Sequence, residues 1–148
     1  TLPELTTEVT GLANGNYDMW VFFWDATDPT PPSPANNWTI DAGLVSGALT
    51  TYSVDGAGNT TAPVAASTLS FVSAPMVTES NRILYGVNLG SLTVSGGTAN
   101  VYIDNLTGNG GISRTWYDGI GYEAIPEPSS AALLLGLGGF ALVLRRRK

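Results

Sequence analysis

The stretch YDMWVFFWD, residues 17–25, constrains the fold of this 148-residue chain more than any other. Successive side chains of a strand point to opposite faces, so the stretch divides into two sets. One set holds Tyr17, Met19, Val21 and Phe23, and the other holds Trp20, Phe22 and Trp24. Both sets are apolar, which predicts a central strand that is covered on both faces. Few residues precede it, and this favours a domain that lacks strands upstream.

The rest of the body repeats short strand patterns between turn residues. Asn14–Gly15 predicts a hairpin turn into the central strand, and the prolines of residues 29–34 predict a surface loop. The last pattern, RTWYDGIGY, is expected to carry Trp116, Asp118, Ile120 and Tyr122 on one side. Seven or eight such strands predict an all-β antiparallel β-sandwich, jelly-roll-like, over residues 1–124. No helix pattern occurs before residue 125.

Composition and charge exclude several classes of function. The chain has no cysteine and no histidine, which removes disulfides, thiolate or imidazole metal ligands, and catalytic Ser–His or Cys–His pairs. Residues 1–125 hold eleven acidic residues against Arg82 and Arg114, a net charge of −9 that repels nucleic-acid phosphates. Residues 126–148 carry +3 instead. We therefore expect no nucleic-acid partner.

The C-terminal residues 125–148 form a separate segment with the pattern of a membrane-inserting tail. Pro126 and Pro128 prevent an earlier helix start, and Ser129 or Ser130 can cap the first free amides. A helix over the fourteen apolar residues 131–144 is about 21 Å long, shorter than the bilayer core of about 30 Å. Insertion is therefore marginal, as suits a processing signal better than a lasting anchor. The residues expected to contact lipid are Ala131, Leu133, Leu134, Leu135, Leu137, Phe140, Leu142, Val143 and Leu144.

The charge that follows this run sets its orientation. Arg145, Arg146, Arg147 and Lys148 are expected to stay in the cytoplasm, which leaves the body outside. A buried amphipathic core helix is the alternative interpretation. It requires a polar face, and the run is apolar all round.

Pro126-Glu127-Pro128, the apolar run and the basic end stand in order at the C-terminus, and together they closely resemble the PEP-CTERM sorting tail of Gram-negative exported proteins. The resemblance implies that exosortase, an integral-membrane cysteine protease, recognises Pro126, Glu127 and Pro128 and cleaves nearby. It implies an inner-membrane intermediate with its body outside the cytoplasm, then display on the cell surface or release into the extracellular matrix. The family is associated with bacteria that make exopolysaccharide and biofilm. The body more loosely resembles β-sandwich regions of Planctomycete and Verrucomicrobial proteins with such tails, in GLANGNYDMWVFFWD, NNWTIDAGL and RTWYDGIGY.

For the body itself we expect a structural role, with carbohydrate binding as the alternative. Aromatic rings stack on the apolar face of a pyranose ring, and three aromatic residues lie near predicted loops. These candidates for glycan contact are Trp38, Trp116 and Tyr117.

No cofactor and no catalytic residue is expected. Calcium is a lesser alternative, because it prefers oxygen ligands and several aspartates lie in or beside predicted loops. They are Asp25, Asp28, Asp55 and Asp104. Glycosidase-like catalysis would need two carboxylates facing each other across a cleft, and Asp104, Asp118 and Glu123 are the available set. Their spacing alone does not show convergence, so we predict that the chain is not an enzyme.

Overall fold

The structure, a computed structural model, describes residues 4–26, 39–54, 61–72, 78–79, 82–104 and 116–127. These residues form strands, connected by turns and one short 3-10 turn at Ala66–Thr68. The strands are β1 (Leu5–Thr10), β2 (Gly15–Ala26), β3 (Thr39–Gly43), β4 (Thr50–Ser53), β5 (Val64–Ala65), β6 (Thr78–Glu79), β7 (Arg82–Val94), β8 (Thr98–Asp104) and β9 (Tyr117–Ala124). The all-β prediction is confirmed for this part of the chain, and the predicted tail helix lies outside it.

The strands form two antiparallel sheets that share one hydrophobic core. One sheet has the order β1-β8-β3-β4, and the other has the order β5-β7-β2-β9 with β6 also paired to β7. Buried side chains from both sheets belong to a single cluster, whose fully covered members include Phe23, Met19 and Val21 of β2, Ile40 of β3, Val87 of β7 and Val101 of β8. The predicted pair of antiparallel sheets is confirmed.

Strand β2 is the central strand that its sequence predicts. It pairs along most of its length with β7 on one side and with β9 on the other. Both neighbours come from downstream, so β2 is flanked without any strand from upstream. Its second face is covered as well, because Phe22 is buried together with Ala66 and Leu84, with Trp20 and Trp24 packed beside them.

The predicted hairpin at Asn14–Gly15 is wrong. Strand β1 pairs with β8 in the opposite sheet, so residues 11–14 cross from one sheet to the other. The crossing from β7 to β8 at residues 95–97 lies beside it. The Leu12 N–H donates to the Gly97 carbonyl at 3.1 Å, and the Gly96 N–H donates to Asn14 Oδ1 at 3.1 Å. The turn-forming asparagine therefore ties two crossings together instead of closing a hairpin.

The expected single-sided arrangement of β9 is also wrong, because the register of β9 against β2 shifts between Phe22 and Phe23. Ile120 packs against the shared core, whereas Asp118 accepts a hydrogen bond from Trp24, which belongs to the cluster on the outer face. A bulge changes which face the residues on either side of it occupy, and the sequence pattern does not reveal it.

Candidate functional site

The last strand leads directly into the Pro-Glu-Pro segment. The Ile125 N–H donates to the Asn16 carbonyl at 2.8 Å, one residue beyond the end of β9. The side chain of Asn16 is held in turn, since its Oδ1 accepts a hydrogen bond from Thr93 at 2.7 Å. Pro126 has no N–H and cannot continue the ladder. The body is therefore paired up to the residue before the segment.

Pro126 and Glu127 are both exposed, so this part of the segment is accessible to a partner. Pro128, the apolar run 131–144 and the basic end 145–148 lie outside the described residues. Within the described ranges, no helix has the length and apolarity needed to cross a membrane.

A second candidate region lies on the outer face of the β5-β7-β2-β9 sheet. We call Trp24, Arg82, Trp116 and Asp118 the outer cluster. The guanidinium carbon of Arg82 lies 3.7 Å from the ring centroid of Trp116, and Trp24 Nε1 donates to Asp118 Oδ1 at 2.8 Å. The structure thus places Arg82 over Trp116 and pairs Asp118 with Trp24, while Trp38 lies outside the described residues. Sequence reasoning missed Arg82 and Trp24, because their proximity to Trp116 depends on strands far apart in sequence.

Tyr117, the third aromatic candidate, is placed differently. Its ring packs against the shared core, and its hydroxyl shares a hydrogen bond of 2.8 Å with Thr7 of β1 in the opposite sheet. Burial raises the pKa of the Tyr117 phenol above its usual value; the hydrogen bond with Thr7 lowers it in part, and the negative charge of Asp118 adds to the increase. This hydroxyl connects the two sheets at their β1 and β9 edges.

The candidate carboxylates are distributed over both sheets. Asp104 ends β8, and its register partner is Asp41 of β3, whereas Asp118 and Glu123 belong to β9 in the other sheet. Within the described residues, no group of three or more Asp, Glu, His or Cys is arranged to hold a metal ion. Asp28, Asp55 and the side chain of Asp25 lie outside what the structure describes.

Comparison with known proteins gives a result for the C-terminal part of the chain. No curated protein and no solved structure matches the chain. Residues 124–148 match the family described as the PEP-CTERM protein-sorting motif. The match begins at Ala124, the last residue of β9, and so includes the exposed Pro126 and Glu127. The chain therefore carries a PEP-CTERM protein-sorting motif, the signal of a protein that is sorted via exosortase to the cell surface.

Proposed function

We propose that this chain is a structural protein of the bacterial surface or extracellular matrix, whose tail enters the inner membrane transiently and is cleaved there by exosortase. The observation that carries the proposal is the match over residues 124–148, which begins at the last residue of β9. The body faces the outside throughout, and the basic residues 145–148 stay in the cytoplasm until cleavage.

The prolines and the glutamate of the Pro-Glu-Pro segment have different roles in recognition by the protease. The two prolines keep the segment extended, because each fixes φ and removes a backbone donor. Glu127 then projects into solvent, where a cationic side chain of the protease binds its carboxylate by a charge-assisted hydrogen bond. Pro128, which follows, is assigned the same role as Pro126.

The junction also sets where the body sits during processing. Five residues separate Ile125, which is hydrogen-bonded to β2, from Ala131, where the apolar run begins. Six extended steps span at most roughly 20 Å. The body is therefore held close to the bilayer surface while the tail is inserted, and the protease acts in this gap.

A structural body without catalysis is part of the proposal. Its support is the placement of the candidate carboxylates: Asp118 accepts a hydrogen bond from Trp24 in one sheet, and Asp104 ends a strand of the other sheet. Support also comes from the large shared core, to which both sheets contribute and which stabilises the sandwich without disulfides.

The test is to replace Glu127 by Gln and follow maturation in the native host by intact mass. We expect the E127Q chain to keep its basic tail, because the neutral amide cannot form an ion pair with the cationic side chain of the protease and accepts a weaker hydrogen bond from it. The matched control is E8Q, the same change at an exposed glutamate of β1, and it should mature normally. Maturation of E127Q at the rate of E8Q would contradict the assigned role of Glu127.

Carbohydrate binding is the second candidate, and the outer cluster favours it. The cluster holds two indoles, Trp116 under the Arg82 guanidinium and Trp24 hydrogen-bonded to the Asp118 carboxylate. Aromatic rings and polar groups of this kind are what a sugar site needs. A glycan-binding screen on the mature protein tests it. Saturable binding that W116A abolishes supports this function, and the absence of saturable binding to any glycan rejects it.

A further inference from the structure

Exposure at the C-terminal end of the body begins before the sorting motif. Every residue from Tyr122 to Glu127 is exposed, although the chain remains in β9 up to Ala124 and is hydrogen-bonded to β2 at Ile125. We call Tyr122–Ile125 the β9 end. The four residues of the β9 end, which lie immediately before Pro126, are thus both folded and accessible.

The β9 end is also extended, and one side of its backbone pairs with no strand among the described residues. In the part of the chain that the structure describes, β9 is the edge strand of its sheet and pairs with β2 alone. The other side of its backbone is available to a partner that adds a strand or encloses an extended peptide. This backbone runs without interruption into the motif, which its prolines also keep extended.

Two large apolar side chains stand out in the β9 end. Tyr122 is 45% exposed and Ile125 is 36% exposed. Tyr122 touches the body through an edge contact with Tyr17, with the ring centroids 5.9 Å apart. A partner that buries these two side chains gains the apolar contact that the body leaves unused, and tyrosine is among the residues that contribute most at interfaces.

The charge around the β9 end indicates which of two partners binds it, the processing protease or the lipid surface. The exposed neighbours Glu123 and Glu127 are acidic, and Asp18 is the register partner of Glu123. Anionic headgroups repel such a group, whereas the proposed protease already supplies a cation for Glu127. The observations therefore favour the protease.

Resting on the proposed function, we infer that the β9 end is part of the surface that the processing protease binds, with Tyr122 and Ile125 as specificity-determining residues. Recognition then begins inside the folded body and continues into the motif. Successive side chains of a strand face opposite ways, so a cleft that encloses this edge contacts Tyr122 on one side and Ile125 on the other.

The experiment compares processing rates of full-length chains in the native host, by pulse labelling and intact mass. The double variant Y122A/I125A is expected to mature at least about tenfold more slowly than the unaltered chain. Its matched control is L5A/V45A, which truncates two side chains that are 50% and 63% exposed and belong to β1 and to the β3–β4 turn of the opposite sheet. The control should mature at the normal rate.

A second variant keeps every side chain. Insertion of Gly-Ser between Ile125 and Pro126 leaves β9 and the Pro-Glu-Pro segment each unchanged but displaces one from the other. We expect slower processing if both are bound together. An unchanged or faster rate, or normal maturation of Y122A/I125A, would show that the protease reads the motif alone.

A third measurement separates the membrane alternative. In a host that lacks the protease, Y122A/I125A and the unaltered chain should partition equally into the membrane fraction. Loss of the variant from that fraction would assign the β9 end to lipid and overturn the inference. Failure of the unaltered chain to be processed at all would overturn the proposed function as well.

Discussion

Gly121 of β9 occupies a position where a side chain has no room. A Cβ built there would lie 2.8 Å from Cε2 of Phe22 and 3.4 Å from Cε2 of Phe71. The ring has little freedom to withdraw, because a Cβ at Gly86 on the opposite neighbour, β7, would lie 2.8 Å from Cε1 of the same ring. Phe22 is thus enclosed by one glycine on each adjacent strand.

Replacing Gly121 by Ala should therefore destabilise the fold. Carbon atoms pack favourably at about 3.5–4.0 Å, so the new methyl group overlaps the ring by up to about 1 Å. Overpacking of this kind costs about 1–3 kcal/mol. For a chain of this size, that cost lowers the unfolding temperature by roughly 3–9 °C.

Gly119 of the same strand offers a matched control, since nothing lies within 4 Å of a Cβ built there. G119A should be neutral or stabilise by up to about 1 kcal/mol, because alanine reduces the conformational freedom of the unfolded chain. Urea unfolding followed by tryptophan fluorescence gives both free energies, read as shifts of the midpoint at constant slope. Adding F22L to G121A should recover part of the loss, because the smaller side chain removes the overlap. G121A as stable as G119A would refute this account of the outer face.

The remaining predictions concern Tyr117, whose hydroxyl joins the two sheets through Thr7. Y117F should lower the free energy of unfolding at neutral pH by about 0.5–1.5 kcal/mol, the net contribution of one hydrogen bond, measured by urea unfolding. The pKa of this phenol is raised in the folded state, so its contribution is complete below the unfolded pKa of about 10 and is lost as the pH rises through the folded value. Between pH 8.5 and pH 11, the free energy of unfolding should therefore fall less in Y117F than in the unaltered chain. An equal fall in both chains would contradict the raised pKa of Tyr117.

Several features of the fold and of the site could be predicted from sequence because they depend on local pattern. A strand that is apolar on both faces must be covered on both, and β2 is. The sorting motif is readable for a related reason, since its order of prolines, apolar run and basic end is a property of contiguous residues. The structural role of the body, its sugar and calcium alternatives and the jelly-roll order of the sheets stay predictions.

The two predictions from sequence that proved wrong both concern contacts between residues far apart in the chain. Asn14–Gly15 has the composition of a hairpin turn, but β2 gains two long partners, β7 and β9, by leaving β1 to the other sheet. In β9, a bulge places Asp118 and Ile120 on opposite faces of the sheet, and the alternation of residues within β9 does not predict this bulge.

The sequence by itself determined that the described part of the chain is built of strands, that residues 17–24 are covered on both faces, and that residues 124–148 carry a sorting signal. Hydrophobic periodicity and a contiguous motif are enough for each of these. Only the tertiary structure decided that the Pro-Glu-Pro segment follows directly after Ile125, which is hydrogen-bonded to Asn16, and that Arg82 lies over Trp116. Such contacts join strands far apart in sequence, and strand pairing is selected by the competition of all strands for partners rather than by any one of them.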